Sequence, residues 1–152
     1  MPLLIRPAEP RDLDGLLRLL EALFAIEADF AFDADKQRLG LGLLIASGKD
    51  CVLAAELAGG IVGMCSVQTV ISTAEGGPVG WVEDVVVAPE YAGRGIGRKL
   101  LEQAEDWALR NGLTRLQLLA DRHNAAALGF YGHVGWSRTE LVALRKFPGA
   151  AD

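Results

Sequence analysis

The chain has 152 residues, 51% hydrophobic and 23% charged, which suits one globular domain and excludes intrinsic disorder. Twenty acidic residues against 15 basic ones give a net charge of −5. That sign argues against general nucleic-acid binding and favours a cationic partner.

Leu3–Arg6 reads as a short strand, and the apolar run before Arg6 and Pro7 is too short for a signal peptide. Pro10 suits the first turn of a helix. Leu13, Leu16, Leu17, Leu20, Leu23 and Phe24 then recur at helical spacing along one face. Asp33–Ser47 predicts a second helix, weakened by Gly40 and Gly42. Cys51–Leu57 and Ile61–Ser72 are β-rich runs joined by Ala58-Gly59-Gly60, the pattern of a hairpin. Leu57–Ala74 is the longest uncharged stretch, but its glycines and polar residues exclude a membrane span. Cys51 and Cys65 lie in apolar runs without C-x-x-C spacing. They read as small core fillers in a reducing cytoplasm.

After a turn at Gly76-Gly77-Pro78, Gly80–Ala88 predicts a strand centred on Val85-Val86-Val87. A glycine loop, Gly93–Gly97, leads into a helix with Ile96, Leu100, Ala104, Trp107 and Ala108 on one side, stopped by Asn111-Gly112. Leu116–Ala120 reads as a strand and Asn124–Val134 as a helix. Trp136–Phe147 reads as one bent strand or two short ones. The order β-α-α-β-β-β-α-β-α-β(β) predicts an α/β protein with a mixed sheet and helices on its faces, rather than an all-parallel doubly wound one.

The strand–loop–helix segment Glu83–Leu101 carries the most chemistry. Amides at a helix N-terminus point outward with partial positive charge, and glycines let a phosphate approach them. Gly93, Arg94, Gly95, Ile96 and Gly97 therefore predict an anion cradle. A Walker A loop is excluded, because Gly97 is followed by Arg98-Lys99 and preceded five residues earlier by Ala92. A dinucleotide fingerprint fails as well, because Arg98 stands where the third glycine belongs.

Val87-Ala88-Pro89-Glu90-Tyr91-Ala92-Gly93-Arg94-Gly95-Ile96-Gly97-Arg98-Lys99-Leu100-Leu101 resembles the coenzyme-A loop of the GCN5-related N-acetyltransferase (GNAT) superfamily. One element departs: Ala92 stands where that family usually carries arginine or glutamine. Asn124, Ala127, Phe130, Tyr131, Gly135 and Trp136 resemble the family's later motif, and Ile5-Arg6-Pro7-Ala8 its usual beginning. The resemblance implies a mostly antiparallel twisted sheet with helices on both faces and acetyl-CoA as co-substrate, while the absence of H-E-x-x-H or any metal-ligand cluster in the sequence predicts no metal. The resemblance implies diphosphate binding at residues 93–98, and the missing side chain at Ala92 leaves two expectations: a weaker grip, or compensation by Arg94 or Arg98. It also implies pantetheine contacts from Asn124, Tyr131 and the free edge of Val85, Val86 and Val87.

Acetyl transfer to an amine must first remove a proton, since a lysine-like amine of pKa about 10.4 is only about one part in 10³ neutral at pH 7. Glu83 and Asp84 are adjacent on a strand and so point to opposite faces, with Trp81, Glu83, Val85 and Val87 sharing a side. Resemblance to the polyamine-type branch gives the base role to Glu83, acting through water, with Asp84 in reserve. It gives the acid role to Tyr131. An acidic rim at Glu21, Glu27, Asp29, Asp33 and Asp35 suits a small-molecule amine. The alternatives are a peptide amine as acceptor, a non-catalytic acyl-CoA sensor, or a nucleotide-binding regulatory domain. Leu141–Leu144 reads as a strand able to pair two copies into a homodimer. His123 and His133 read as helix-end or surface residues.

Overall fold

The computed structural model describes residues 2–27 and 29–150. The chain divides between Leu118 and Leu119 into two compact units. In the first, strand β1 (Leu4–Pro7) and a 3₁₀ turn (Pro10–Asp12) lead into helices α1 (Leu13–Ile26) and α2 (Ala34–Ala46). Strands β2 (Cys51–Leu57), β3 (Gly60–Ser72) and β4 (Gly77–Val87) follow, then helix α3 (Ile96–Arg110) and strand β5 (Leu116–Leu118). The second unit contains helix α4 (Ala125–His133).

The sheet runs in sequence order, β1-β2-β3-β4-β5. All neighbours are antiparallel except β4 and β5. Tight turns reverse the chain between β2 and β3 and between β3 and β4, and the helix pair α1–α2 brings β2 back antiparallel to β1, whereas the single helix α3 crosses over and returns β5 parallel to β4. The expected mixed, mostly antiparallel sheet is thus observed.

Alternation along β3 explains why helices cover both faces. Met64 is fully buried and joins Leu16, Leu17, Leu20, Val52, Ala54 and Val86 in the core under α1 and α2. Its neighbours face α3. A Cβ on Gly63 would lie 3.1 Å from Leu100 Cδ1 and 3.2 Å from Ile96 Cγ2, and Cys65 Sγ donates to the Leu100 carbonyl at 3.8 Å. Burial raises both thiols, Cys51 to about 11 and Cys65 to about 12. Both are therefore inert packing groups in this fold.

Local signals set the element ends. The Asp33 carboxylate caps α2 by accepting from the Asp35 and Lys36 amides. Asp12 precedes α1 and is buried, accepting from the Glu9 amide at 2.7 Å and from both terminal nitrogens of Arg6. Arg6 also reaches Glu56 at 3.1 Å, tying β1, β2 and the start of α1 together.

Two expectations need correction. The strand read at Leu116–Ala120 ends at Leu118. No strand forms within Trp136–Phe147. An apolar run becomes a strand only by pairing its amides, and among the described residues no strand pairs with this one. Leu141, Val142, Leu144 and Phe147 are exposed as a result. Among the described residues, no helix is long and apolar enough to cross a membrane.

Candidate active site

The middle of β4 departs from a regular strand. Trp81 stands opposite Gln68 and Glu83 opposite Ser66, but the next partners are Val86 with Met64 and Val87 with Gly63. Asp84 and Val85 thus share the place of one residue, opposite Cys65. This is a β-bulge. Asp84 takes φ +53°, a left-handed conformation that costs an L-residue about 1–2 kcal/mol and that Asp tolerates better than most. Ser66, fully buried, donates its hydroxyl to the Glu83 carbonyl at 3.2 Å.

The bulge corrects the strand parity read from the sequence. Trp81 and Glu83 do share a side, with Gln68 and Ser66. Beyond the bulge it is Val86 that returns to that side, opposite Met64 in the α1 core, not Val85 or Val87. The extra residue shifts the alternation by one place.

The adjacent carboxylates have different surroundings. Glu83 is exposed, and its Oε2 accepts from Gln68 Nε2 at 3.5 Å. Asp84 is half-buried. Desolvation, then the charges of Glu83 and of Glu27 at the end of α1, push its carboxyl up to about 6. Of the expected acidic rim, Asp33 is engaged as a helix cap and Glu27 is the residue that faces Asp84 electrostatically.

The edge of β4 away from β3 is also distinctive. β5 pairs only with Gly80, Trp81 and Val82. From Glu83 to Val87 that edge meets no strand among the described residues. Its amides and carbonyls are therefore available to an extended partner.

β4 then runs through a 3₁₀ turn, Pro89–Tyr91, into the glycine loop. Gly93 has φ +77° and Gly95, the N-cap of α3, φ +78°. Among the described residues, no side-chain cap bond forms at the start of α3. The first intrahelical bond is from the Lys99 amide to the Gly95 carbonyl, so the amides of Ile96, Gly97 and Arg98 precede it. A Cβ on Gly93 or Gly95 would meet no heavy atom within 4 Å. Open space over amides at a positive helix end fits an anionic diphosphate. Ala92 offers no side-chain donor. The Arg94 guanidinium lies over the Tyr91 ring, 4.9 Å from its centre, and Arg98 is exposed.

Asn124 and Tyr131 lie in the second unit. Asn124 Oδ1 accepts from the Ala127 amide at 3.0 Å and caps α4. Tyr131 is half-buried, its ring 5.4 Å from Phe130 and 6.1 Å, edge-on, from Trp136. His123 and His133 are exposed. Among the described residues, no three His, Cys, Asp or Glu side chains are grouped to hold a metal ion.

Sequence reading located the glycine loop but missed the bulge and Ser66. The local run Glu83-Asp84-Val85-Val86-Val87 contains no glycine, so nothing in it announces a positive φ.

The Acetyltransferase (GNAT) family matches residues 16–136, and the chain belongs to that family. It is 32% identical over 138 residues to an uncharacterized N-acetyltransferase of Archaeoglobus fulgidus, covering 90% of this chain and 94% of that one. It is 30% identical over 145 residues to thialysine N-epsilon-acetyltransferase of Bos taurus, covering 87% and 82%. The fold matches that of glucosamine-6-phosphate N-acetyltransferase of Arabidopsis thaliana with a TM-score of 0.77 at 22% identity, covering 97% and 99%. The protein is an acetyltransferase of a family that uses acetyl-CoA.

Proposed function

We propose that this chain is an acetyl-CoA-dependent N-acetyltransferase that moves an acetyl group to the primary amine of a small molecule by direct attack. Acetyl-CoA, when bound, supplies an acyl thioester. The amides of residues 93–98 hold its diphosphate, with Arg94 and Arg98 at the rim. The open edge at Val85, Val86 and Val87 pairs with its pantetheine arm, assisted by Asn124. A main-chain amide of that edge polarises the thioester carbonyl. The amine proton goes to one carboxylate of the Glu83–Asp84 pair. The Tyr131 hydroxyl protonates the departing sulfur.

The observation that carries this reading is the succession along β4 among the described residues: a strand edge that meets no strand, then two positive-φ glycines, then a helix start with no side-chain cap bond. The small-amine acceptor draws support from the thialysine-acetylating relative, which matches most of the chain, and from the net charge of −5. A single functional domain spanning residues 1–152, a cytoplasmic setting and a homodimer belong to the same proposal.

The test is thiol release from acetyl-CoA with thialysine, lysine, spermidine and an aminoglycoside as acceptors. Turnover with at least one of these supports the reading. Tight acetyl-CoA binding without thiol release on any acceptor would instead identify an acyl-CoA sensor.

A further inference from the structure

We infer that Asp84, rather than Glu83, takes the proton of the acceptor amine, and that the Ser66 hydroxyl is the positioning group that holds it in place; both roles rest on the acetyl-transfer reading.

Three observations converge on Asp84. First, it stands at the bulge, within the stretch of β4 whose outer edge meets no strand among the described residues. The reacting carbonyl is assigned to that same stretch, so the Asp84 carboxylate originates beside it. Second, Asp84 is half-buried, whereas Glu83 is exposed beside the Gln68 side chain. A desolvated carboxylate gains more from an incoming ammonium and holds its proton more strongly than a solvated one. Third, among the described residues, the charges that act on Asp84 are those of Glu83 on its own strand and Glu27 at the end of α1. Both are acidic, so they attract a cation and favour proton transfer to Asp84.

The left-handed backbone of Asp84 persists only if its surroundings hold it. Ser66 supplies that restraint. It lies directly across from Glu83, has no exposure, and donates to the carbonyl that begins the bulge. A buried hydroxyl without a partner is costly, so this bond is strongly favoured. Ser66 touches no reactant in this scheme and acts only through the peptide that presents Asp84.

The proton balance is simple. An N–H bond of the ammonium breaks, its electron pair stays on nitrogen, and an O–H bond forms on Asp84. The neutral nitrogen then attacks and the carbon–sulfur bond breaks. The second nitrogen proton, lost as the amide forms, replaces the one Tyr131 gives to sulfur. Asp84 returns its proton to solvent.

The experiment compares wild type, Asp84→Asn, Glu83→Gln, Ser66→Ala and Ser66→Thr. It measures kcat/KM for the best acceptor of the amine panel between pH 5 and 9, and the Asp84 carboxyl titration by NMR in the free protein. Asn tolerates positive φ, so Asp84→Asn keeps the bulge. It is expected to lose about 10²-fold or more in kcat/KM and to lose the acidic limb of the profile. Glu83→Gln keeps that limb but moves it to lower pH, because a charge that raised the Asp84 carboxyl is gone. Ser66→Ala shifts both the limb and the NMR titration, and Ser66→Thr restores them. An acidic limb erased by Glu83→Gln but kept by Asp84→Asn would overturn the Asp84 assignment alone. An NMR titration unmoved in Ser66→Ala would overturn the role of Ser66. A wild type that acetylates no amine overturns the acetyl-transfer reading itself, and this assignment falls with it.

Discussion

Arg6 holds Asp12 through both carboxylate oxygens, at 2.7 and 3.0 Å, with the side chain of Asp12 only 6% exposed. This bond keeps the Asp12 carboxyl below its ordinary 3.8, ahead of the opposing effect of burial. Because the folded value is the lower one, the stabilisation is present above pH 4 and is lost as pH falls through the folded value. Asp12→Asn leaves the guanidinium largely buried and short of its partner, at a cost of roughly 3 kcal/mol. Urea melts at pH 7 and pH 3 check this. The variant and wild type should differ clearly at the first and converge toward the second.

Asp84 has the opposite sign. Its folded value of about 6 lies above 3.8, so ionising it costs stability. The cost is absent below pH 4, grows as pH rises to 6, and then stays constant at about 3 kcal/mol at most. Asp84→Asn should therefore raise Tm at pH 7.5 relative to wild type by more than it does at pH 4. Equal differences at the two pH values would show that the carboxyl is not perturbed.

Gly95→Asp separates folding from binding. Its Cβ enters open space, so the fold pays only for the left-handed backbone, about 1 kcal/mol. The new carboxylate sits at the N-terminus of α3 and repels a diphosphate. Calorimetry should show CoA affinity lost, with a thermal melt only slightly lowered. Unchanged affinity would remove the loop from the binding site.

Tyr131→Phe keeps the ring that packs on Phe130 and Trp136 and removes only the hydroxyl. Turnover should fall about 10- to 100-fold with acetyl-CoA affinity unaltered. An unchanged kcat would take Tyr131 out of the chemistry.

Gly80→Ala tests how closely β5 approaches β4. The added Cβ would come within 2.6 Å of Leu116 Cδ2 and 2.8 Å of Val67 Cγ1. Overpacking of this kind costs about 1–3 kcal/mol, or roughly 2–4 °C of Tm per kcal/mol in a domain of this size. A scanning calorimetry trace that matches wild type would mean that β5 shifts outward freely.

The glycine loop, the α1 stripe from Leu13 to Phe24 and the hairpin at Ala58-Gly59-Gly60 were legible because each depends on neighbours within a few residues. Helical spacing and turn chemistry are local properties of a chain. The C-terminal strand was misread for the complementary reason. Trp136–Phe147 has the composition of a strand, but pairing requires a partner, and composition does not reveal whether one is present.

The amino-acid order alone determined most elements of the first unit, their succession and the glycine turn before α3, since Gly93 and Gly95 suit positive φ without help from the rest of the fold. Tertiary structure decided the inequality of Glu83 and Asp84. In the chain they are adjacent acids of the same charge. The bulge set between β3 and β4, with Ser66 across from Glu83 and Glu27 arriving from α1, leaves one exposed and half-buries the other. Desolvation and long-range charge act through space between residues far apart in sequence, so only the folded chain can assign them.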